Sequence, residues 1–432
     1  MSKLRRIFID VSFTQTQSGV VGITRTVQRL LTCMQSQQEY SGVEVLPVIY
    51  HPEGFRYADP VLKKSGESPV ASKNKDELST SKVILAAFHR WVTEGPLRRF
   101  LLWILPLQLA YFAWSIHAYM IFRLLAKNNK NIVYQPGDLV FLPDASWSYH
   151  VWLAARHARQ QGAFVVLLIH DLIPINHRQF CSSLFSYIFS SWLEKMLKNC
   201  DAVICNSVHT KNEVADWMLA ESIPEVPLTH FRLGADEKSF AGIPIRKSIE
   251  QLIIKFGPYF CSVGSFEQRK NYPWLLKVFE QMWANGFSCG LFLVGRLNSD
   301  MKEFTDQLPL HPQWGKRLWV VHDANDAELD LIYRSSIAAI FPSLAEGFGL
   351  PLLEARARGL RVVASDIPAF IENSDEYVEL YAQGSMSNCA EKIEKVYGQR
   401  DESVSSISTW SWDSSAEVCL KKLQQLYSSY EL

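Results

Sequence analysis

Apolar runs that alternate with helix-like segments constrain this chain more than any other feature. In the second half they are PYFCSVGS, CGLFLVGR, RLWVVHD, SIAAIFPS and RVVAS. The first half repeats the scheme with Ile7 to Val11, Val43 to Tyr50, GDLVFLP, AFVVLLIHD, DAVICNS and a run around Leu228–Leu233. A strand that is apolar on both parities is buried on both faces, which requires a parallel sheet with helices above and below. A chain of 432 residues has room for two such cores. The tract Ala235 to Gly257 reads as the linker between them. The closing segment WSWDSSAEVCLKKLQQLYSSY reads as an amphipathic helix capped by Asp413 or Ser414. The expected domains are residues 1–240 and 255–410, with a helix over 411–432 returning to the first.

Charge and motif content exclude several functions. Lys and Arg number 44 against 44 Asp and Glu, so no global field recruits nucleic acid. Eight cysteines occur without a CxxC, and Cys205, Cys261 and Cys289 fall in strand-like runs. Reduced cysteines used for packing, and no secretory leader in MSKLRRIFIDVSF, point to the cytosol. No GxGxxG follows a strand, and GxxxxGK[ST], Asp-x-Asp and HExxH are missing. A dehydrogenase, a P-loop kinase and a bound metal or other cofactor are therefore not expected.

Residues 52–130 interrupt the alternation. Pro52 to Lys82 is rich in Ser, Lys, Glu, Gly and Pro and reads as a solvated loop. Phe100 to Phe122 then carries no formal charge, with Arg98, Arg99, Arg123 and Lys127 on its flanks. Its length suits a membrane span. Strands of one sheet lie before and after it, however, and a single crossing would put them on opposite sides of a bilayer. Two readings stand open: bent helices over 98–124 lying in the inner face of a membrane, or a hydrophobic hairpin packed on the domain or between subunits.

Within Phe341 to Ser365, FPSLAEGFGLPLLEARARGLRVVAS, a strand gives way to a Gly-rich bend and then to a helix from about Leu350. Gly347 and Gly349 permit close approach of the backbone to a ligand. The N–H groups of Leu350 and its neighbours form a seat for a phosphate. Glu346 and Glu354 bracket seven residues and can accept hydroxyl hydrogen bonds; Phe348 lies in the bend between them. In parallel sheets ligands sit beyond the carboxyl ends of strands, which adds Arg269 and Lys270 in SFEQRKN, Arg296, His322, and His170 with Asp171. Arg269 and Lys270 supply a planar fork and a point charge suited to pyrophosphate. Arg296 and His322 are placed either to touch a nucleotide base or to cap a turn. Gly19 and Gly22 precede a helix as a second candidate phosphate seat.

The pattern EGFGLPLLEA…G…VVAS, with SFEQRKN, resembles the retaining GT-B glycosyltransferases of family 4. The resemblance implies two Rossmann-like domains facing a central cleft, with the hydrophobic insertion as a departure from the family pattern. It implies that Glu346 meets the donor sugar, Glu354 the ribose, Gly22, Arg269 and Lys270 the diphosphate, and that His170 lies near the reacting carbon. Asp171 either orients His170 or meets the acceptor. By the same implication the chain moves a hexose, mannose as first choice, from a nucleotide sugar to a glycan acceptor without a metal. The apolar insertion suggests a polyprenyl-linked acceptor and peripheral membrane contact, or failing that a homo-oligomer. The alternatives are an epimerase or glycan phosphorylase on the same architecture, or an inactive scaffold.

Overall fold

The computed structural model of the chain describes residues 3–16, 22–58, 123, 129–148, 150–235, 242–400, 402 and 410–430. The 98–124 segment therefore lies outside the described residues apart from Arg123. Among the described residues no helix is long and apolar enough to cross a membrane. The chain divides into two compact units, Met1–Cys205 with Glu213–Phe231 and Ala416–Leu432, and Asn206–Asn212 with Arg232–Ser415.

The first unit is built on seven strands: β1 Arg6–Asp10, β2 Glu44–His51, β3 Gly54–Tyr57, β4 Asp138–Leu142, β5 Phe164–Ile169, β6 Ala202–Cys205 and β7 Leu228–His230. Their order is β3-β2-β1-β4-β5-β6-β7, and all neighbours are parallel except β2 and β3. β4 and β5 are buried at every position, as their unbroken apolar runs require. Helices 151–160 and 183–197 pack Trp152, Phe189, Trp192 and Met196 against that sheet. Tyr427 from the helix Trp412–Tyr430 meets Phe164 edge-on at 5.7 Å.

The second unit has six parallel strands: β8 Tyr259–Val263, β9 Gly290–Val294, β10 Leu318–Val321, β11 Ala338–Phe341, β12 Arg361–Ser365 and β13 Val378–Tyr381. Their order is β10-β9-β8-β11-β12-β13. Helices 272–284 and 386–398 pack their apolar faces on its core.

Three elements correct the sequence reading. Gly54–Tyr57 was expected in a solvated loop, yet it pairs antiparallel with β2 from His51↔Gly54 to Val48↔Tyr57, and Phe55 is buried. Lys247–Phe256, expected in the linker, is a helix with Ile249 buried beneath it. Val378–Tyr381 is an additional edge strand in the polar-apolar sequence VELY, where Glu379 pairs with Lys392 and Lys395 instead of entering the core.

Candidate functional site

Strand order creates a crevice in each sheet. In the second unit the chain leaves β8 for β9 and β10 on one side and returns to β11 on the other. The loops after β8 and β11 therefore part company at neighbouring strand ends, where α/β sheets bind ligands. Two glycines shape the floor. A Cβ on Gly295, just past β9, would lie 1.8 Å from the Gly264 carbonyl oxygen, so only glycine fits. A Cβ on Gly264 would come within 3.1 Å of the Lys270 stem.

The β8 loop makes a short 3-10 turn at Gln268–Lys270 and starts the next helix at Tyr272, with Asn271 left-handed at φ 58°. The two loops are joined by a backbone bond, Leu344 N–H to Arg269 O at 2.7 Å. That tie brings three of the expected residues together. Arg269 Nη1 donates to Glu346 Oε2 at 2.7 Å and Lys270 Nζ to Glu346 Oε1 at 2.5 Å. Ser343 Oγ adds a third bond to Oε1 at 2.7 Å. Burial by itself would push the Glu346 carboxyl up, but the charges of Arg269 and Lys270 and these hydrogen bonds hold it down at about 2. Only 7% of the Glu346 side chain and 8% of Lys270 are exposed, against 20% of Arg269. The cluster is thus a buried carboxylate locked between two cations, with the guanidinium nearest solvent. Arg269 also donates from Nε to Glu267 Oε2 at 2.8 Å and from Nη1 to the Ala345 carbonyl at 3.1 Å.

Beyond Glu346 the chain turns through Gly347 and Gly349 into the helix Leu350–Ala357. Gly349 caps that helix at φ 87°, a left-handed conformation that favours glycine, and a Cβ there would lie 2.9 Å from the Phe370 ring. No side chain caps the helix, so its first N–H groups depend on solvent or a ligand. Phe348 is buried in the core of the unit, and its carbonyl accepts from Asn373 Nδ2 at 2.8 Å. Its side chain is packing, which leaves only its backbone for a ligand. Glu354 is the fifth residue of the helix, one turn in, and is half-buried. Its charge, after burial, helps raise the Tyr333 phenol.

Arg296 follows β9 and is exposed, while its carbonyl accepts from Phe266 N–H at 2.9 Å. His322 follows β10, half-buried against the Phe266 ring at 6.1 Å, with Nδ1 buried and unpartnered. Glu328, in NDAELDLIY, reads from the sequence as a helix-face acid. It is instead 1% exposed, closes a capping box with Asn325, and takes Arg246 Nε at 2.7 Å and Nη2 at 2.8 Å. It braces the helix Asp326–Ser335 and the entry to Lys247–Phe256.

The first unit has its own switch point, between β1 and β4. Asp144, just past β4, accepts Thr14 N–H at 2.8 Å and Thr14 Oγ1 at 2.9 Å, fixing the start of the loop that follows β1. Burial pushes the Asp144 carboxyl up to about 6. His170, just past β5, donates from Nε2 to the Pro143 carbonyl at 2.7 Å. Burial pushes its pKa down to about 4, so the ring is neutral with its proton on Nε2. The orienting partner on Nε2 is thus Pro143. Asp171 Oδ1 accepts Ile173 N–H at 3.0 Å and starts the short helix Ile173–Asn176. Gly22 caps the helix Ile23–Ser36 at φ 50°, is exposed, and a Cβ on it would meet nothing within 4 Å.

Sequence reasoning missed Glu267, Ser343, Thr14 and Asp144. Each lies within three residues of a strand end or a flagged residue, and that proximity was the available signal. Among the described residues no group of three or more His, Cys, Asp or Glu is arranged to hold a metal ion.

Solved structures share this architecture along the full chain. The α,α-trehalose-phosphate synthase of Burkholderia vietnamiensis superposes with TM-score 0.62 over 100% of this chain and 99% of its own, at 12% identity. The sucrose-phosphate synthase of Thermosynechococcus elongatus gives TM-score 0.58 over 98% and 94%, at 17% identity. With the two Rossmann-like sheets, these matches define the fold class as GT-B. The family model described as glycosyl transferases group 1 matches residues 246–408, and that of glycosyltransferase family 4 matches 83–226. Those two segments are those of a group 1 GT-B glycosyltransferase. The chain is 31% identical over 277 residues to the serotype-specific mannosyltransferase WbdA of Escherichia coli, covering 61% of this chain but 34% of that protein. It therefore spans about a third of WbdA's length. The O-antigen chain mannosyltransferase RfbU of Salmonella typhimurium is 25% identical over 264 residues, 57% of this chain and 70% of its own.

Proposed function

We propose that the chain is a retaining, metal-independent hexosyltransferase that moves mannose from GDP-mannose to a glycan acceptor in cell-surface polysaccharide or lipopolysaccharide synthesis. The observation that carries this reading is the Arg269–Lys270–Glu346 cluster at the second sheet's switch point. The names of three relatives, a serotype-specific, an O-antigen chain and a lipopolysaccharide core biosynthesis mannosyltransferase, support the choice of sugar and product class.

In this reading the donor diphosphate lies on Arg269 and Lys270 and on the backbone N–H groups opening at Gly349 and Leu350, with Gly22 as a further contact. The two cations neutralise charge that develops on the leaving phosphate, which is the main catalytic term, and no metal is required for it. Glu346 reads sugar hydroxyls, Glu354 the ribose, and Arg296 and His322 the base. The bond from the anomeric carbon to the phosphate oxygen breaks, and a bond to the acceptor oxygen forms on the same face. The acceptor's proton passes to the departing phosphate oxygen. His170, neutral, presents a ring that makes hydrogen bonds without adding charge, and Asp171 fixes the backbone beside it.

We divide the chain as 1–240 for the acceptor, 255–410 for the donor and 411–432 as the returning helix. The acceptor is lipid-linked, and 98–124 supplies peripheral contact at the inner membrane face, or failing that a homo-oligomer contact. The test is a transfer assay offering GDP-mannose and other nucleotide sugars, with and without polyprenyl-linked acceptor, and product stereochemistry by NMR. The expected result is acceptor-dependent α-linked mannose from the α-linked donor. Conversion of donor without acceptor would establish an epimerase. Full complementation of a deletion by Glu346→Ala and Lys270→Ala variants would establish a scaffold.

A further inference from the structure

Resting on the reading that Arg269 and Lys270 take the donor's diphosphate, we propose that Glu267 is a counter-charge that weakens the site's hold on the spent nucleoside diphosphate and so promotes its release. Glu267 Oε2 accepts Arg269 Nε–H at 2.8 Å, and its side chain is 32% exposed, at the mouth of the cluster. Arg269 does not need Glu267 to stay in place. Its Nη1 is held by Glu346 Oε2 at 2.7 Å and by the Ala345 carbonyl at 3.1 Å, and its own carbonyl accepts Leu344 N–H at 2.7 Å. A carboxylate that adds little to orientation but sits on the guanidinium acts chiefly through its charge.

The charge balance gives this weight. Glu346 stays ionised because its carboxyl is held far below the usual range by two cations. Counted by formal charge, Arg269 and Lys270 are matched one for one by the carboxylates of Glu346 and Glu267, and an incoming diphosphate meets a cluster without net charge. Removing the Glu267 charge leaves one positive charge in excess beside the diphosphate. At a partly solvated site, one unit charge a few ångströms away changes anion binding by roughly three- to tenfold. A transferase that must shed its nucleotide on every cycle gains from such a carboxylate, since the same cations that stabilise the leaving group would otherwise retain it.

The experiment is calorimetric binding of GDP, UDP and inorganic pyrophosphate to the full chain, for wild type, Glu267→Gln, Glu267→Ala and Lys270→Met, at two salt concentrations. Glu267→Gln keeps an oxygen for Arg269 Nε and loses only the charge. Both Glu267 variants are expected to bind GDP or UDP, and pyrophosphate, about three- to tenfold more tightly, with steeper salt dependence. Nucleoside diphosphate should also inhibit their transfer reaction more strongly. Unchanged affinity in Glu267→Gln with weaker binding in Glu267→Ala would make Glu267 a simple brace for Arg269 and overturn the proposal. Lys270→Met separates the two levels of the reading: binding as tight as wild type in that variant would mean the diphosphate lies elsewhere, and the underlying site assignment would fail first.

Discussion

The two switch points have the same topology and opposite electrostatics. Beyond β8 and β11, Arg269, Lys270, Glu346 and Glu267 form a hydrogen-bonded cluster of two cations and two carboxylates, with Glu346 held down at about 2. Beyond β1 and β4, with His170 from β5 alongside, burial pushes the groups toward neutrality: Asp144 rises to about 6 and His170 falls to about 4. The same fold thus offers one crevice that holds charge and another that suppresses it. Burial acts on both, and what differs is whether a cation stands within hydrogen-bonding reach of the carboxylate. Under the proposed function, the charged crevice is the one assigned to the donor's diphosphate and the other to the acceptor's hydroxyl groups.

The comparison breaks most directly at Lys270. Lys270→Met leaves Glu346 buried with one cation fewer, and loss of one partner from a buried ion pair costs about 3 kcal/mol or more. Urea denaturation should register that loss, and transfer should fall at least about a hundredfold, in line with removal of a main charge-stabilising group. Asp144→Asn at the other crevice should leave nucleoside diphosphate affinity within about twofold, because neither Asp144 nor His170 is expected to touch the diphosphate. Equal losses in the two variants would erase the distinction.

Next in size is Gly295→Ala. A Cβ placed 1.8 Å from the Gly264 carbonyl oxygen must displace the backbone on which the Lys270 loop begins. A destabilisation of about 2–3 kcal/mol is expected from such overpacking, with a larger loss of diphosphate binding than of secondary structure by circular dichroism.

The smallest effect is a difference in pH dependence. Glu346 is depressed to about 2, so its stabilisation is present above the unfolded carboxylate range and is lost as pH falls toward 2. His170 is also depressed, and its contribution, present above about 6.5, is lost as pH falls through about 4. Asp144 is raised, so its contribution is present at low pH and is lost as pH rises through about 6. Between those values His170 and Asp144 oppose each other. Asp144→Asn should remove one side of the balance, so that from pH 6.5 to 4 the variant loses about 2 kcal/mol more stability than wild type. Denaturant titrations across that range check it; parallel curves for variant and wild type would refute the offset.

Much of this was legible from residue order. Runs such as AFVVLLIHD and SIAAIFPS announce strands covered on both faces, and reading the residues at their ends gives His170, Arg269, Lys270 and Glu346. Sequence could not say that Glu346 would bond Arg269 and Lys270, because that contact depends on β11 lying beside β8 after the chain has visited β9 and β10. Pro143 as the partner of His170 was hidden for the same reason, since β4 and β5 are neighbours only in the folded sheet. The burial of Glu328, read only as a helix-face acid, was hidden because its partner Arg246 lies in a stretch read as linker. VELY was passed over because an edge strand alternates polar and apolar residues and lacks the continuous run that marks central strands.

The backbone bond from Leu344 to the Arg269 carbonyl has a consequence for how the pocket can change over evolutionary time. A main-chain bond holds the span between the two loops, beside the side-chain bonds that Arg269 and Lys270 make to Glu346. The residues that project into the gap can therefore be exchanged without re-spacing its walls. New cargo preferences are open to such a scaffold through substitution at a few positions, while the frame that presents them stays put.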